Sequence, residues 1–258
     1  MATRESYAPG TPSWVDLGSP DTAATAAFYG SLFGWTADID PRPEAGGYGM
    51  FSRDGLVVAG LGPQQSPGPP FWTVYVATTS ADETAAKAVA AGGTVVVEPM
   101  DVLDAGRMTV LQDPLGTFIS AWEPGEHIGA RYVNGPGGFT WNELATPDLA
   151  ASTAFYSAVF GWTVAAETGG DDAAVYRADG NVVCGAHTAG GEEVPAWSVW
   201  FAVEDCDGST AQAVELGATV LVAPDDMDFG RGAVIADPHG AVFGLAALTD
   251  GDPDAGAT

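Results

Sequence analysis

The stretch PSWVDLGSPDTAATAAFYGSLFGWTAD, residues 12–38, decides the fold because the chain carries a second version of it. The second version is FTWNELATPDLAASTAFYSAVFGWTVA, residues 139–165. Both contain W-x-(D/E)-L, then P-D, then A-F-Y, and finally F-G-W. Self-similarity at a fixed separation is typical of a duplicated structural unit. The sequence therefore predicts two homologous halves.

The duplication extends beyond this stretch. WTVYVATTSAD from Trp72 matches WSVWFAVEDCD from Trp197, and GRMTVLQDPLGTF from Gly106 matches GRGAVIADPHGAVF from Gly230. The Gly- and Pro-containing segment between the halves is predicted to be a linker, and the small, acidic C-terminal residues a disordered tail. The predicted boundaries are 11–122 for the first half, 123–137 for the linker, 138–248 for the second half and 249–258 for the tail.

Each half is predicted to contain a strand, a helix and several short strands, and then the same pattern again. In the first helix, Asp21 is the predicted N-cap and Gly34 the terminating residue. Its predicted buried stripe consists of Ala24, Ala27, Phe28, Leu32 and Phe33. The chain is thus predicted to be α+β, with four βαβββ units in two homologous halves.

Composition excludes several classes of partner. The chain of 258 residues has 34 acidic and 8 basic residues, which gives a net charge of −26. Such a charge repels nucleic acid and anionic membranes. No apolar run is long enough to span a bilayer, and two cysteines, Cys184 and Cys206, form no disulfide framework. We predict a cytoplasmic protein that is a monomer (a pseudo-dimer of its halves) or a weak homodimer.

The helix motifs AFYGSLFGW and AFYSAVFGW, with DPLG and DPHG before a final strand, resemble those of the vicinal-oxygen-chelate superfamily. This superfamily includes glyoxalase I, bleomycin and fosfomycin resistance proteins and extradiol dioxygenases. The resemblance covers both halves, and it implies that the βαβββ units pair into cup-shaped mixed sheets. A ligand or metal ion is expected inside each cup.

The resemblance also implies where metal ligands are expected, and this chain departs from the pattern there. Metal-dependent members carry His, Gln or Glu at three positions on the inner face of the sheet. The corresponding positions here are Trp14, Thr73 and Ser120 in the first half, and Trp141, Ser198 and Gly244 in the second. None of these side chains is a customary ligand of a divalent metal ion. We therefore expect no metal and no other cofactor.

Strand alternation predicts which residues line the cups in place of metal ligands. Residues of the same parity as the expected ligand positions share the inner face. In the first half they are Trp14, Asp16, Thr73, Tyr75, Phe118, Ser120 and Trp122, and in the second half Trp141, Glu143, Ser198, Trp200, Val242, Gly244 and Ala246. The sequence leaves open whether each cup forms within one half or by exchange of units between the halves.

Two further pairs of residues are candidates. Arg107 and Arg231 recur in the same G-R dipeptide, and each is either an anchor for a ligand oxygen or half of an ion pair with a nearby acid. Cys184 and His187 lie close together, but a separation of three residues places them on opposite faces of a strand. Catalysis by this pair is therefore not expected, and no catalytic residue is assigned.

Two functions fit these features. The first is metal-independent binding of a planar aromatic natural product, such as an antibiotic sequestered for self-protection, because aromatic side chains replace the expected metal ligands. The second is a glyoxalase-like or hydroxylase-like enzyme acting on a natural-product intermediate or small aldehyde, with Asp16 or Glu143 as general base. The sequence favours the first.

Overall fold

The computed structural model of the chain describes residues 2–65, 67–165, 172–191 and 193–249. The predicted disordered tail lies outside the described residues apart from Thr249. The first half contains the strands and helices β2 (Pro12–Ser19), α1 (Thr22–Phe33), β3 (Thr36–Ile39), β4 (Gly49–Arg53), β5 (Leu56–Pro63), β6 (Trp72–Ala77), α2 (Ala81–Ala90), β7 (Thr94–Val102), β8 (Gly106–Gln112) and β9 (Phe118–Pro124). A two-residue strand, β1 (Ala2–Thr3), precedes them.

The second half repeats this order. After the short linker strand β10 (Tyr132–Val133) come β11 (Phe139–Thr146), α3 (Leu149–Phe160), β12 (Thr163–Val164), β13 (Ala173–Ala178), β14 (Asn181–Thr188), β15 (Ala196–Ala202), α4 (Cys206–Glu215), β16 (Thr219–Met227), β17 (Gly230–Ala236) and β18 (Val242–Leu248). The architecture is α+β with four βαβββ units, as predicted.

Each mixed sheet is built from one half. The first has the strand order β3-β4-β5-β2-β6-β9-β8-β7, and the second has the order β12-β13-β14-β11-β15-β18-β17-β16, with β10 and β1 added beside β11. The two units of a half meet where their first strands pair antiparallel, with Asp16 opposite Thr73 and Glu143 opposite Ser198. The open question about pairing is therefore answered: each cup forms within one half.

Local sequence explains the ends of the helices. The Asp21 side chain accepts a hydrogen bond from the Ala24 backbone N–H, and Gly34 ends α1 with a φ of 71°, a conformation that favours glycine. The predicted buried stripe is partly wrong, because Ala24 and Ala27 are exposed. The buried residues of α1 are Thr25, Phe28, Tyr29 and Phe33.

The stripe differs because α1 packs against both halves at once. The Tyr29 ring contacts Trp72 of its own half, and it also contacts Phe243 of the other half with a centroid distance of 5.4 Å. Phe201 in turn lies 5.1 Å from Trp72. The helix-bearing faces of the two sheets thus share one aromatic core, which leaves the opposite, concave face of each sheet pointing away from it.

A reciprocal pair of hydrogen bonds joins the halves. The Tyr29 hydroxyl donates to Asp237 at 3.2 Å, and the Tyr156 hydroxyl donates to Asp113 at 3.1 Å. Both aspartates begin the Asp-Pro segments before the last strand of each half, a pair of residue types typical of turns. They do form the turns, since the Asp113 carboxylate also accepts from the backbone N–H of Thr117. The same carboxylate therefore fixes both a turn and the interface between the halves.

The helices and the two cysteines bear on the predictions made from composition. Among the helices that the structure describes, none is long and apolar enough to cross a bilayer. Cys184 and Cys206 are both free thiols in the buried interior.

Replacing Tyr156 with Phe removes a buried donor from the Asp113 carboxylate. We expect the free energy of unfolding to fall by about 2 kcal/mol, because a buried oxygen is left unpaired. Urea denaturation followed by tryptophan fluorescence measures the change. The control is Ser31→Ala, whose exposed hydroxyl bonds only within α1, to Ala27. Equal stability of Tyr156→Phe and the control would refute the role of this contact.

Candidate functional site: two unequal cups

The concave face of the first half carries the residues that alternation placed there. The Asp16 carboxylate accepts hydrogen bonds from the hydroxyls of Tyr75, at 3.0 Å, and Tyr48, at 3.1 Å. Thr73 also hydrogen-bonds to Asp16. The alternate residues Val15 and Leu17 are buried on the helix side. The predicted parity of β2 and β6 is therefore the observed one.

Tyr48 extends this network to the wall of the cup. The Trp14 indole N–H donates to the Tyr48 hydroxyl at 3.1 Å. The Tyr48 ring lies over Gly60 and Gly62, where a side chain would collide with it; a Cβ on Gly62 would stand 2.9 Å from the ring. Two glycines on β5 thus provide the space that Tyr48 occupies.

The linker also enters the first cup. The His127 ring meets Trp14 edge-on at a centroid distance of 4.4 Å and Trp122 at 5.7 Å. The Trp122 indole N–H donates to the backbone carbonyl of His127 at 2.8 Å. Trp14, Tyr75 and Trp122 are consequently 3%, 7% and 4% exposed. The first cup is filled by the chain's own rings.

Burial governs the protonation of this cup. It raises the pKa of Asp16, although the hydrogen bonds from Tyr75, Tyr48 and Thr73 oppose the rise by stabilising the carboxylate. It also raises the pKa of Tyr48 and Tyr75 well above the usual value. The same burial lowers the pKa of His127 to about 4, so this imidazole is neutral at physiological pH.

The second cup has a different polar group on its floor. Glu143 accepts from the Trp141 indole N–H at 2.5 Å and from Nδ1 of His187 at 3.3 Å. The other ring nitrogen of His187 lies 3.0 Å from the Glu193 carboxylate. The hydrogen bond with Glu143 raises the pKa of His187 to about 9, against the effect of burial and with a further contribution from Glu193. His187 is therefore an imidazolium held between two carboxylates.

An aromatic platform stands beside this group. Trp200 lies directly on Gly244, where any side chain would collide with the indole ring. The indole N–H donates to the Ser198 hydroxyl at 3.3 Å, and the Phe229 ring meets Trp200 at a centroid distance of 5.6 Å. Trp141, Trp200 and Phe229 are only half-buried. These three rings present aromatic surface to solvent at the second cup.

The remaining predicted lining residues take three positions. Phe118 and Val242 begin β9 and β18 and are exposed at the rims, with 48% and 42% of their surface accessible. Ser120 is buried opposite Tyr75 in the first sheet. In the second sheet, Gly244 is opposite Trp200. Ala246 is opposite Ala202 and is buried.

The two predicted arginine anchors lie outside the cups. Arg107 donates to Asp82 on α2 at 2.8 Å and to Asp101 at 2.9 Å. Arg231 pairs in the same way with Asp207 on α4 and with Asp226. Both arginines alternate with cup-facing residues, so their side chains point to the helix side of the sheet. There they form surface ion pairs and are not ligand anchors.

The expected metal-ligand positions do not fit a metal ion. They lie together on three adjacent strands, with Trp14 opposite Tyr75 and Tyr75 opposite Ser120, but indole and hydroxyl groups occupy them. Among all residues that the structure describes, no group of three or more His, Cys, Asp or Glu side chains is arranged to hold a metal ion. No metal-dependent reaction is therefore assigned to these positions.

Sequence reasoning missed four residues of the two cups: Tyr48, His127, His187 and Phe229. His187 was placed correctly on the face opposite Cys184, which is buried. Its contact with Glu143 depends on the parallel pairing of β11 with β14, in which Glu143 is opposite Gly185. The other three residues lie outside regular strands, where alternation gives no prediction.

The three histidines of the chain offer a direct test of the two cups. In an NMR titration we expect His127 to titrate near pH 4 and His187 near pH 9. Glu193→Gln is expected to lower the pKa of His187 and to leave that of His127 unchanged. Because the pKa of His187 is higher in the folded state, protonation of this residue also adds to the free energy of unfolding below about pH 6.5. This contribution is lost as the pH rises through about 9. Ordinary imidazole values at both residues would refute these environments.

Family models match both halves of the chain, and named relatives match it over most of its length. Residues 11–120 match the model of the glyoxalase/bleomycin resistance protein/dioxygenase superfamily, and residues 141–246 match that of a glyoxalase-like domain. The anthracycline biosynthesis protein DnrV of Streptomyces peucetius is 43% identical, and the match covers 96% of this chain and 97% of the relative. The putative glyoxylase CFP32 of Mycobacterium bovis is 41% identical, covering 95% of this chain and 97% of the relative.

Solved structures agree in fold. The Mn(II)-bound glyoxalase from Novosphingobium aromaticivorans superposes with a TM-score of 0.67 at 19% identity, covering 96% of this chain and 85% of the other. The 2,2',3-trihydroxybiphenyl 1,2-dioxygenase from Sphingomonas wittichii gives 0.62 at 13% identity, covering 96% and 94%. At these identities the likeness concerns the fold alone.

Proposed function

The chain belongs to the glyoxalase/bleomycin resistance protein/dioxygenase superfamily as a fusion of two domains, and from this premise we propose that it binds a planar aromatic natural product in its second cup and holds it unchanged. The observation that carries the proposal is the half-buried aromatic platform of Trp200 and Phe229 beside the Glu143–His187 pair. The ligand class is a polycyclic aromatic molecule of the anthracycline type.

The named relatives support this class of ligand. Two relatives, DnrV at 43% identity and DauV from Streptomyces sp. at 42%, are anthracycline biosynthesis proteins, and each match covers 96% of this chain. Proteins that make such compounds work on fused planar rings. A site that recognises them needs exposed aromatic side chains, and the second cup supplies these.

The geometry of the platform suits stacking. Trp200 is held flat by its contact with Gly244 and by the hydrogen bond to Ser198, so little side-chain entropy is lost when a ring stacks on it. Covering about 300 Å² of apolar ligand surface at about 25 cal/mol per Å² contributes roughly 7 kcal/mol before the costs of association. With about 0.5–1.5 kcal/mol added for each stacked ring pair, the interaction reaches about 8 kcal/mol before the costs of association, which sets micromolar as the upper limit of affinity unless further polar contacts form.

The proposal includes three expectations about partners and cofactors. Binding requires no metal ion, because indole, hydroxyl and glycine positions replace the expected ligands. The net charge of −26 opposes nucleic acid and anionic membranes. The reciprocal contacts between the halves already form a pseudo-dimer within one chain, so a monomer is sufficient for the site.

The proposal is tested by titrating the protein with 1,4-dihydroxyanthraquinone and with an anthracycline while following tryptophan quenching. We expect micromolar dissociation constants that EDTA does not change. Trp200→Ala is expected to weaken binding by at least about ten-fold, because it removes the stacking surface. The proposal would be overturned if none of the tested compounds bound with a dissociation constant below millimolar.

The matched control is Phe71→Ala, which removes an exposed aromatic ring from a loop of the first half. Its affinity is expected to equal that of the unaltered protein. Mass spectrometry of the recovered ligand distinguishes holding from turnover, since a sequestering protein returns the compound with its mass and retention time unchanged.

A second candidate function is proton transfer on such a ligand. The hydrogen-bonded Glu143–His187 pair favours it, because a carboxylate and an imidazolium together supply a base and an acid. In an isomerisation, Glu143 would take a proton from carbon and His187 would give one to a carbonyl oxygen. Glu143→Gln separates the candidates: retained binding with loss of product formation supports the enzyme, while an unchanged ligand with the unaltered protein supports sequestration.

A further inference from the structure

We propose that the two cups have different roles, and that Tyr48 and His127 occupy the ligand space of the first cup so that each chain binds one ligand, in the second. This inference rests on the proposed function and specifies its site and stoichiometry. It is based on an exchange of residues between the halves, on the position of the linker, and on smaller side chains at three further aligned positions of the second cup.

The exchange involves two residues that face each other across neighbouring strands. Tyr48 lies over Gly62 in the first half. The duplicated sequences YGMFSRDGLVVAGLG, residues 48–62, and AAVYRADGNVVCGAH, residues 173–187, align without gaps, so the second half has Ala173 and His187 at these positions. Ala173 and His187 are register partners in the second sheet.

The exchange is sterically coupled. A Cβ on Gly62 would stand 2.9 Å from the Tyr48 ring, so a tyrosine on one strand requires a glycine on the other. In the second half the large side chain has moved to the opposite strand, and His187 reaches Glu143 where Tyr48 reaches Asp16. The carboxylate keeps a hydrogen-bond donor in both cups, but the aromatic ring over the floor is present only in the first.

The linker supplies the second ring that fills the first cup. His127 follows β9 by three residues and packs between Trp14 and Trp122. Its pKa of about 4 agrees with an imidazole enclosed by apolar rings. The backbone beside it is also tied down, because the Ala130 N–H donates to the Ser13 carbonyl at 2.8 Å. Residues 127–130 of the linker are thus held against the first cup, while β10 joins the second sheet.

Other aligned positions differ in the same direction. Trp122, Met108 and Ser120 of the first cup correspond to Ala246, Gly232 and Gly244 of the second. The burial follows this difference: Trp14 is 3% exposed, whereas its counterpart Trp141 is half-buried. At these three positions the larger side chain belongs to the first cup, whereas at the aligned pairs Tyr75/Trp200 and Ala105/Phe229 it belongs to the second.

The experiment is a measurement of stoichiometry by isothermal titration with 1,4-dihydroxyanthraquinone. The unaltered protein is expected to bind one equivalent. Trp200→Ala is expected to leave no site of comparable affinity, because Tyr48 and His127 occupy the first cup. Two equivalents for the unaltered protein, one of which is retained in Trp200→Ala, would overturn the inference while leaving the proposed function intact. Absence of any binding would overturn both.

A gain-of-function variant tests the filling directly. Tyr48→Ala combined with His127→Ala empties the first cup and is expected to raise the stoichiometry from one to two. The control is Phe71→Ala, which removes an exposed aromatic ring outside the cups and is expected to keep one site. Urea denaturation confirms that the variants are folded. If the emptied variant is folded and still binds one equivalent, Tyr48 and His127 do not determine which cup binds.

Where that variant does not fold, transplanting the pair provides the test. Ala173→Tyr combined with His187→Gly gives the second half the residues of the first. It is expected to weaken binding at least about ten-fold. Gly62→Ala, which crowds Tyr48 in the first cup, is expected to keep the affinity of the unaltered protein. Unchanged affinity in the transplanted variant would overturn the inference.

Discussion

The contact between the helix-bearing faces of the two sheets is the constraint on which the rest of the structure depends. Trp72 and Phe201 meet across it at 5.1 Å, and Tyr29 reaches Phe243 at 5.4 Å. Because successive side chains of a strand alternate between faces, burying one face in this interface directs the other outward. The position of both cups therefore follows from the aromatic contacts between the two halves.

The same separation of faces explains how the halves could diverge. The reciprocal pairs Tyr29–Asp237 and Tyr156–Asp113 are present in both halves, so the interface keeps its near two-fold symmetry. On the concave faces, Tyr48 corresponds to Ala173 and Trp122 to Ala246. Residues there contribute less to the shared core, and a change in size alters a cavity without disturbing the packing of the halves.

Much of the fold followed from the sequence, because the duplication and the strand parity are both periodic signals. Parity placed Asp16 beside Tyr75 on one face of the sheet, and Trp72, which precedes the cup-facing Thr73, is buried on the other. It could not decide whether cups form within or between halves, since both pairings preserve alternation. The contact of His127 with Trp14 joins residues distant in sequence through an irregular linker, which no local pattern encodes.

The hydrogen-bonding state of Glu143 favours binding over proton abstraction. One carboxylate oxygen already accepts from the Trp141 indole and the other from His187, which in turn is paired with Glu193. A base must exchange at least one of these partners for the substrate, and each charge-assisted bond lost costs about 1.5–3 kcal/mol. A stacking ligand requires no such exchange, because the polar floor remains satisfied. The free energy of binding then comes from covering Trp200 and its neighbours, which the second cup leaves accessible.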